Sequence, residues 1–330
     1  MENFENNNSI SSTDNKFVQS ILEKLHIELR KVIVEQDELI KYSLISLISG
    51  GHVLLEGVPG LAKTLMVRVL AKTLSLDFKR IQFTPDLMPA DITGTKVFNM
   101  QTREFELKKG SVFTNFLLAD EINRTPPKTQ AGLLEAMAEG TVSLDGEMIK
   151  LPSPYMVFAT QNPLEYDGTY PLPEALVDRF LMKVIIDYPS IEAEKKVLKR
   201  HHEGFSSIDL DNCGLQVVCG ADDILKCRSE VLKVRVDDAI MDYIVNIVAA
   251  TRKNPVIEIG SSPRGTISLL SCSKACASYN GRDYVIPEDV KNMTIPTLRH
   301  RITLKPEVEL EGIKTDEVLK DILSQVKVPR

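Results

Sequence analysis

The run Gly57-Val58-Pro59-Gly60-Leu61-Ala62-Lys63-Thr64 constrains this chain more than any other stretch. An apolar run, His52-Val53-Leu54-Leu55, precedes it and reads as a buried strand. After it, from Leu65 to Leu74, apolar residues recur at helical spacing. Strand, glycine-containing turn, Lys-Thr and helix together make the context of a phosphate-binding loop. Glycines at 57 and 60 can take positive φ and place no Cβ against a ligand. The backbone N–H groups of the turn then line a concavity for phosphate oxygens, and the helix starting near Lys63 adds its positive end. In that setting Lys63 reaches the β- and γ-phosphates and Thr64 offers its hydroxyl to Mg²⁺. Ala62 stands where the usual pattern has glycine. Alanine is unstrained there if its backbone is right-handed helical, and strained if its φ is positive.

The elements around this loop set the fold class. Phe78 to Phe83, Phe116 to Ala119, Tyr155 to Ala159 and Met182 to Ile186 read as strands, with helices expected after Pro126-Pro127 and over Glu174 to Phe180. Alternating β and α segments predict an α/β fold, a mostly parallel sheet covered on both faces by helices. Ligands bind such sheets at the carboxyl ends of the strands, where Gly57, Asp120 and Asn162 fall. Two stretches interrupt the alternation as expected hairpins, residues 96–113 and 142–151, the second with Asp145-Gly146 at its turn. Upstream, helices are expected over 17–29 and 36–48. Past Pro189 the character changes to a charged helix, an unassigned stretch at 204–228, and helical segments at 236–252, 263–280, 287–299 and 315–326. The expected organisation is a disordered polar tail (1–15), an αβα nucleotide-binding core (16–189), and a linker with an all-α lid domain (190–330).

Composition narrows the class of partner. The 330 residues are 43% hydrophobic and 26% charged, ordinary for a soluble domain, and their net charge of −6 leaves no footprint for non-specific DNA binding. The odd count of five cysteines and the absence of paired Cys-x-x-Cys motifs argue against a disulfide framework and a zinc ribbon; Cys272 and Cys276, four apart, read as small core residues on one helix face. The N-terminus lacks the features of a secretory signal, and no run approaches the ~18 apolar residues of a membrane-spanning helix. A cytoplasmic protein with no membrane insertion is expected. His201-His202, in a charged helix, reads as solvated, and His300, between Arg299 and Arg301, as part of a basic exposed helix end.

The second chemical signal is an apolar strand ending in Asp120-Glu121. Asp120 is suited to Mg²⁺, as phosphate-site carboxylates are, and Glu121 to polarising a water against the γ-phosphate. Asn162, ending the next strand, is a neutral group that could position that water. Arg179 follows Asp178, so its plainest alternative is a surface ion pair. Arg264 sits at a helix N-terminus, where cations are disfavoured; an anionic ligand would account for it.

With these residues in view, the chain resembles an AAA+ ATPase of the MoxR family. The resemblance is carried by GVPGLAKT (57–64), LLADEINRTPPKTQAGLLEAMAEG (117–140), FATQNPLEYDGTYPLPEALVDRF (158–180) and SPRG (262–265), and runs from about residue 17 to 300. It implies ATP and Mg²⁺ as ligands. Gly57, Gly60, Leu61, Ala62, Lys63, Thr64 and Leu65 would contact nucleotide with Asp120, and Thr64 and Asp120 would hold the metal. Glu121 would be catalytic, Asn162 sensor 1, Arg179 an arginine finger reaching a neighbouring subunit, and Arg264 sensor 2. Arg124 is a rival for the trans-acting role. The two hairpins resemble the family's helix-2 and pre-sensor insertions. Alanine before the lysine is common in the family, whereas Glu35 departs from its usual glycine in a stretch expected near adenine.

The implied function is ATP hydrolysis by a homo-oligomeric ring that remodels a protein client in complex assembly or cofactor insertion, with a von Willebrand factor A-domain partner. A nucleic-acid motor or loader is the alternative, against which the acidic net charge counts. A non-hydrolysing scaffold is a third, against which Asp120, Glu121 and Asn162 count.

Overall fold

The computed structural model describes residues 11–163, 168–207 and 209–329, with side chains from residue 16 onward. Of the expected polar tail, residues 1–10 lie outside the described residues, while residues 11–15 already belong to the first helix. The described chain divides into two compact units. One comprises Leu25–Ser43 and Gly50–Ala221; the other comprises Leu44–Ser49, Asp222 onward and the described residues up to Lys24.

Helices α1 (Ser11–Arg30) and α2 (Asp37–Ser49) lead in. Val18, Ile21, Leu22, Leu25 and Leu29, the helical-period residues of α1, are all buried. Asp37 and Glu38 lie in the first turn of α2, where carboxylates complement the helix dipole.

The first unit is built on a sheet. Strand β1 (His52–Glu56) feeds the glycine loop and α3 (Lys63–Thr73); β2 (Phe78–Gln82) and α4 (Pro89–Thr93) follow. Next come β3 (Gly94–Asn99) and β4 (Glu104–Lys109), an antiparallel hairpin outside the main sheet. Strand β5 (Phe116–Asp120) leads to a short 3₁₀ turn at Ile122–Arg124. The single helix expected after Pro126-Pro127 is divided: α5 (Pro127–Gln130), a 3₁₀ turn over Ala131–Leu133, and α6 (Leu134–Glu139). A second hairpin, β6 (Thr141–Leu144) and β7 (Glu147–Lys150), turns on Asp145 and Gly146, both with positive φ. Strand β8 (Met156–Gln161), the one-turn helix α7 (Glu174–Val177), β9 (Phe180–Ile185) and α8 (Ile191–His202) complete the unit.

Five of these strands form one sheet in the order β2-β5-β8-β1-β9, every neighbour pair parallel. The inner strands are buried on both faces, so apart from the buried His52 that opens β1 they are apolar until their last residues. On one face Leu117, Ala119, Val157 and Ala159 pack with Ile92, Leu133 and Ala136. Phe116 and Phe158 meet edge to face, ring centroids 5.9 Å apart. The unit also runs past the change in character at Pro189. Within it Arg200 donates to the Val32 carbonyl, Arg68 to the Ser207 carbonyl, and Glu28 accepts from the Gln216 N–H.

The second unit is mainly helical: α9 (Ala221–Leu232), α10 (Asp238–Lys253), α11 (Pro263–Tyr279), α12 (Pro287–Leu298), α13 (Pro306–Leu310) and α14 (Thr315–Gln325). It is not wholly α. Strands β10 (Ile257–Ile259) and β11 (Thr303–Leu304) pair antiparallel, with Ile257 opposite Leu304 and both buried. Such short apolar pieces give no usable periodicity. Cys272 and Cys276 are fully buried in α11, and burial pushes the Cys272 thiol up to about 12. The arginines around His300 are not on an exposed helix end: Arg301 is buried and donates to Ser268 Oγ, and Arg299 pairs with Asp316 at 2.8 Å.

Phe158 fills the centre of the sheet, so Phe158→Ala should lower stability by about 3–5 kcal/mol. Urea denaturation followed by circular dichroism would measure it; a loss below about 1 kcal/mol would contradict the packing described.

Candidate active site

The glycine loop opens between β1 and α3, and its two glycines serve different ends. Gly60 has φ +89°, a conformation L side chains rarely adopt. Gly57 does not have positive φ, contrary to the sequence-based expectation. Its constraint is crowding, because a Cβ there would stand 2.7 Å from the carbonyl oxygen of Ile186, the residue after β9. Ala62 caps α3 with φ 58° and ψ 15°, in the left-handed region. The strained alternative for this alanine is therefore the one realised, and the cost is of order 1 kcal/mol.

Lys63 begins α3, half-buried, and its Nζ donates to the Gly57 carbonyl. Burial pulls the ammonium below the ordinary lysine range, an effect opposed by the nearby Asp120, Glu121 and Glu56 carboxylates. The lysine is thus a cation turned inward over the loop and facing acids at the strand ends.

Those acids are held from three strands. Register pairs Gln82 with Asp120 and Ala119 with Ala159, so β2 and β8 flank the end of β5. Thr160, 1% exposed, donates from Oγ1 to Asp120 Oδ1 at 2.5 Å and accepts from the Glu121 N–H at 2.8 Å. On the other side Arg80 donates to Asp120 Oδ2 from Nε at 3.0 Å and from Nη2 at 2.6 Å. The same Nη2 reaches Gln82 Oε1 at 2.8 Å, and Gln82 Nε2 donates to Glu121 Oε2 at 2.6 Å. Arg124 also contacts Glu121 Oε2, at 3.0 Å. Glu121 itself has φ 53°. Asn162, buried, lies just past the end of β8.

Gly60, Leu61, Ala62, Lys63, Thr64, Leu65, Asp120, Glu121 and Asn162 all line one cleft of about 1080 Å³. Its other walls come from Val32 to Val34 and from α8 with the residues flanking it. Glu35 is not a wall residue. Its φ is 52°, where the family's usual glycine would sit without strain, and its carboxylate turns away to Lys196 Nζ at 2.6 Å and Ser190 Oγ at 2.7 Å. These partners hold the Glu35 carboxyl below its usual range, the Lys196 hydrogen bond most strongly. The described residues lining the cleft do not include Arg179, which lies two residues beyond α7, half-buried. Arg264 belongs to the helical unit, exposed at the start of α11 with its N–H donating to Ser262 Oγ. His201 and His202 are exposed in α8, with the His201 ring edge-on to Phe205. Sequence reasoning passed over Arg80, Gln82 and Thr160. The polar residues at alternate positions of β2 were the available signal, since i and i+2 share a face.

Thr64 and Asp120 offer hard oxygen donors, the type Mg²⁺ takes. The guanidinium already resting on Asp120 indicates that positive charge is accommodated there. A divalent ion would suit these donors, with the Thr64 hydroxyl and the Asp120 carboxylate as the groups that would hold it.

Comparison with known proteins identifies the fold and the family. Residues 52–182 match the ATPase family associated with various cellular activities (AAA), and residues 249–322 match the AAA lid domain. The uncharacterized protein YeaC of Bacillus subtilis is 48% identical over 309 residues, 94% of this chain and 95% of that protein. Chaperone MoxR1 of Mycobacterium tuberculosis is 42% identical over 318 residues, 94% of this chain and 82% of that protein. A crystal structure of a candidate ATPase from Cytophaga hutchinsonii, 43% identical, superposes with a TM-score of 0.88 and covers 96% of this chain and 98% of its own. The fold is that of an AAA+ nucleotide-binding sheet with a helical lid domain. The chain belongs to the MoxR family of AAA+ ATPases, whose membership brings nucleotide binding and hydrolysis in general, with Mg²⁺ as the usual metal.

Because Ala62 lies at positive φ, Ala62→Gly should stabilise the protein by about 0.5–1 kcal/mol, the relief of strain exceeding the entropy glycine adds to the unfolded chain. Denaturation midpoints of the two proteins would show it, and a glycine variant less stable than wild type would mean that the alanine is not strained.

Proposed function

We propose that this protein is an Mg-ATP hydrolase that works as a head-to-tail homo-oligomeric ring in the cytoplasm, remodelling a protein client during complex assembly or cofactor insertion. The observation that carries this reading is the convergence of the glycine loop, Lys63, Asp120, Glu121 and Asn162 on one cleft at the carboxyl edge of a parallel sheet. The client role draws its support from the relative named chaperone. Partnership with a von Willebrand factor A-domain protein rests on the family resemblance. Among the described residues, no helix is long and apolar enough to cross a membrane.

In this reading Lys63 sets its charge against the β- and γ-phosphates, with the loop N–H groups around them. Thr64 and Asp120 hold Mg²⁺, which neutralises charge on the phosphates. Glu121 accepts the proton of the attacking water, and Asn162 orients that water. Val32 to Val34 border the same cleft and form the base side. Arg179 acts on a neighbour's site as the cation for charge developing on the γ-phosphate, and Arg264 acts as the lid cation.

Two substitutions separate binding from chemistry. Lys63→Ala should abolish tight ATP binding, whereas Glu121→Gln should bind ATP and hydrolyse it slowly. Calorimetric titration with ATP and a phosphate-release assay test this, and normal turnover by Glu121→Gln would remove that residue from the mechanism. The ATP-bound Glu121→Gln protein is also the bait for recovering the client and the A-domain partner.

Assembly has its own test. Trans-acting arginines of this kind are worth ~10³–10⁵ in rate, so ATPase activity should rise more steeply than linearly with protein concentration. Arg179→Ala should bind ATP nearly normally and hydrolyse it poorly. Mixing it with Lys63→Ala should restore activity, because an intact nucleotide site then meets an intact arginine from its neighbour. Linear concentration dependence, an active Arg179→Ala and no complementation would together place the whole site within one chain.

A further inference from the structure

Asp120 is the acid that the proposed reading gives to the metal, and each of its oxygens already has a donor from its own chain. The two engagements differ in kind. Thr160 is neutral, buried, and fixed by a second bond to the Glu121 N–H. Arg80 is charged, extends from β2 with its side chain 50% exposed, and places two nitrogens on the one oxygen Oδ2 of a carboxylate that is only 13% exposed. An ion pair whose acid is this enclosed is screened less than a surface pair. Arg80 also lines the cleft that contains Lys63 and Thr64. A divalent ion entering there would seek the same oxygen and be repelled by the same guanidinium.

We propose that Arg80 is a positioning residue that competes with Mg²⁺ for Asp120, holding the carboxylate as an ion pair and yielding it when metal enters with nucleotide. The inference rests on the nucleotide-site reading above. It extends to the second acid through Gln82, whose amide oxygen is held by Arg80 Nη2 while its amide nitrogen holds Glu121. Withdrawal of the guanidinium therefore also unfastens one end of the side chain that restrains the glutamate.

The effects on nucleotide with and without metal have opposite signs, which a merely structural role would not produce. Removing the guanidinium removes both the competitor and the repulsion, so less Mg²⁺ is needed. It also removes a cation from a cleft that takes a polyanion, so metal-free ATP binds more weakly. The experiment is calorimetric titration of full-length wild type, Arg80→Gln and Arg80→Lys with ATP, first in EDTA and then at stepped Mg²⁺ concentrations. For Arg80→Gln the Mg²⁺ midpoint should fall about three- to tenfold, tenfold being about 1.4 kcal/mol, while affinity in EDTA falls. Arg80→Lys, which keeps the charge without the two-nitrogen fork, should lie between. An unchanged or higher Mg²⁺ midpoint in Arg80→Gln overturns the proposal, as does an equal loss of affinity under both conditions. If wild type binds ATP in a Lys63-dependent way and the midpoint does not move, the role of Arg80 alone is wrong. If wild type does not bind ATP, the site reading fails and this inference with it.

Discussion

The parallel pairing of β5 between β2 and β8 is the constraint on which the site depends. Parallel strands all end at the same edge, so the first polar residues after each apolar run are delivered to one place. Register then decides which of them meet. Gln82 lies opposite Asp120, so the side chains of β2 that share its face, Arg80 and Gln82, fall on the acids. Pairing of β5 with β8 brings Thr160 against Asp120 and Glu121 from the opposite side. A slip of one residue in either ladder would turn these side chains to the other face. Leu117, Ala119, Val157 and Ala159 help to fix that register, because a slip would also take them out of their packing with Ile92, Leu133 and Ala136.

The electrostatics of the cleft differ from those of the chain as a whole. The net charge is −6, yet the cleft walls carry Lys63, Arg68, Arg80, Lys195 and Arg200 against the carboxylates Asp120, Glu121 and Glu194. Charge of both signs converges, with cations in excess, and low-dielectric walls concentrate its field. Such a place attracts a polyanion together with a divalent cation, the two halves of Mg-ATP. Whole-chain charge argues only about surfaces, which is where it counts against a nucleic-acid footprint. A local excess of basic groups inside a cleft is compatible with an acidic exterior.

How much of this was legible in the sequence depended on whether the signal was local. The glycine loop, the apolar run into Asp120-Glu121 and the Asp145-Gly146 hairpin each declare themselves within a few residues, and the sheet places them as expected. Alternating β and α segments pointed to a mostly parallel sheet, and the main sheet is parallel at every pair. What was not legible came from pairing across the chain. Arg80 looks like one more charge on an outer strand until β2 lies beside β5, and Thr160 looks like a strand end until its hydroxyl lies between two acids. Strands β10 and β11 were missed because two or three residues carry no period. The helix expected after Pro126 is interrupted by a 3₁₀ turn centred on Gly132, a weak helix former that the apolar spacing of Leu133, Leu134 and Met137 concealed. Gly57 was read as a conformational glycine and is a steric one, because the obstacle, the Ile186 carbonyl, arrives from more than a hundred residues away.

Backbone strain is concentrated around the same cleft. Six described residues other than glycine have positive φ: Glu35, Ala62, Ser75, Arg103, Glu121 and Asp145. Asp145 and Arg103 belong to hairpin turns, and Ser75 ends a helix, positions where such a conformation is routine. Ala62 and Glu121 line the cleft, and Glu35 stands between two residues that do. None of these three is the small or short polar residue that tolerates the left-handed region, apart from alanine's modest size. Each is held by what surrounds it: Glu35 by Lys196 and Ser190, Glu121 by Thr160, Gln82 and Arg124, Ala62 by the helix it caps. Strain of about 1–3 kcal/mol per residue persists only where the surroundings over-determine it, and it gathers where a site must be pre-organised or must move. Glu121 is over-determined in this way. Its backbone N–H is pinned by the buried Thr160 hydroxyl, and its side chain is held by the Gln82 amide and the Arg124 guanidinium.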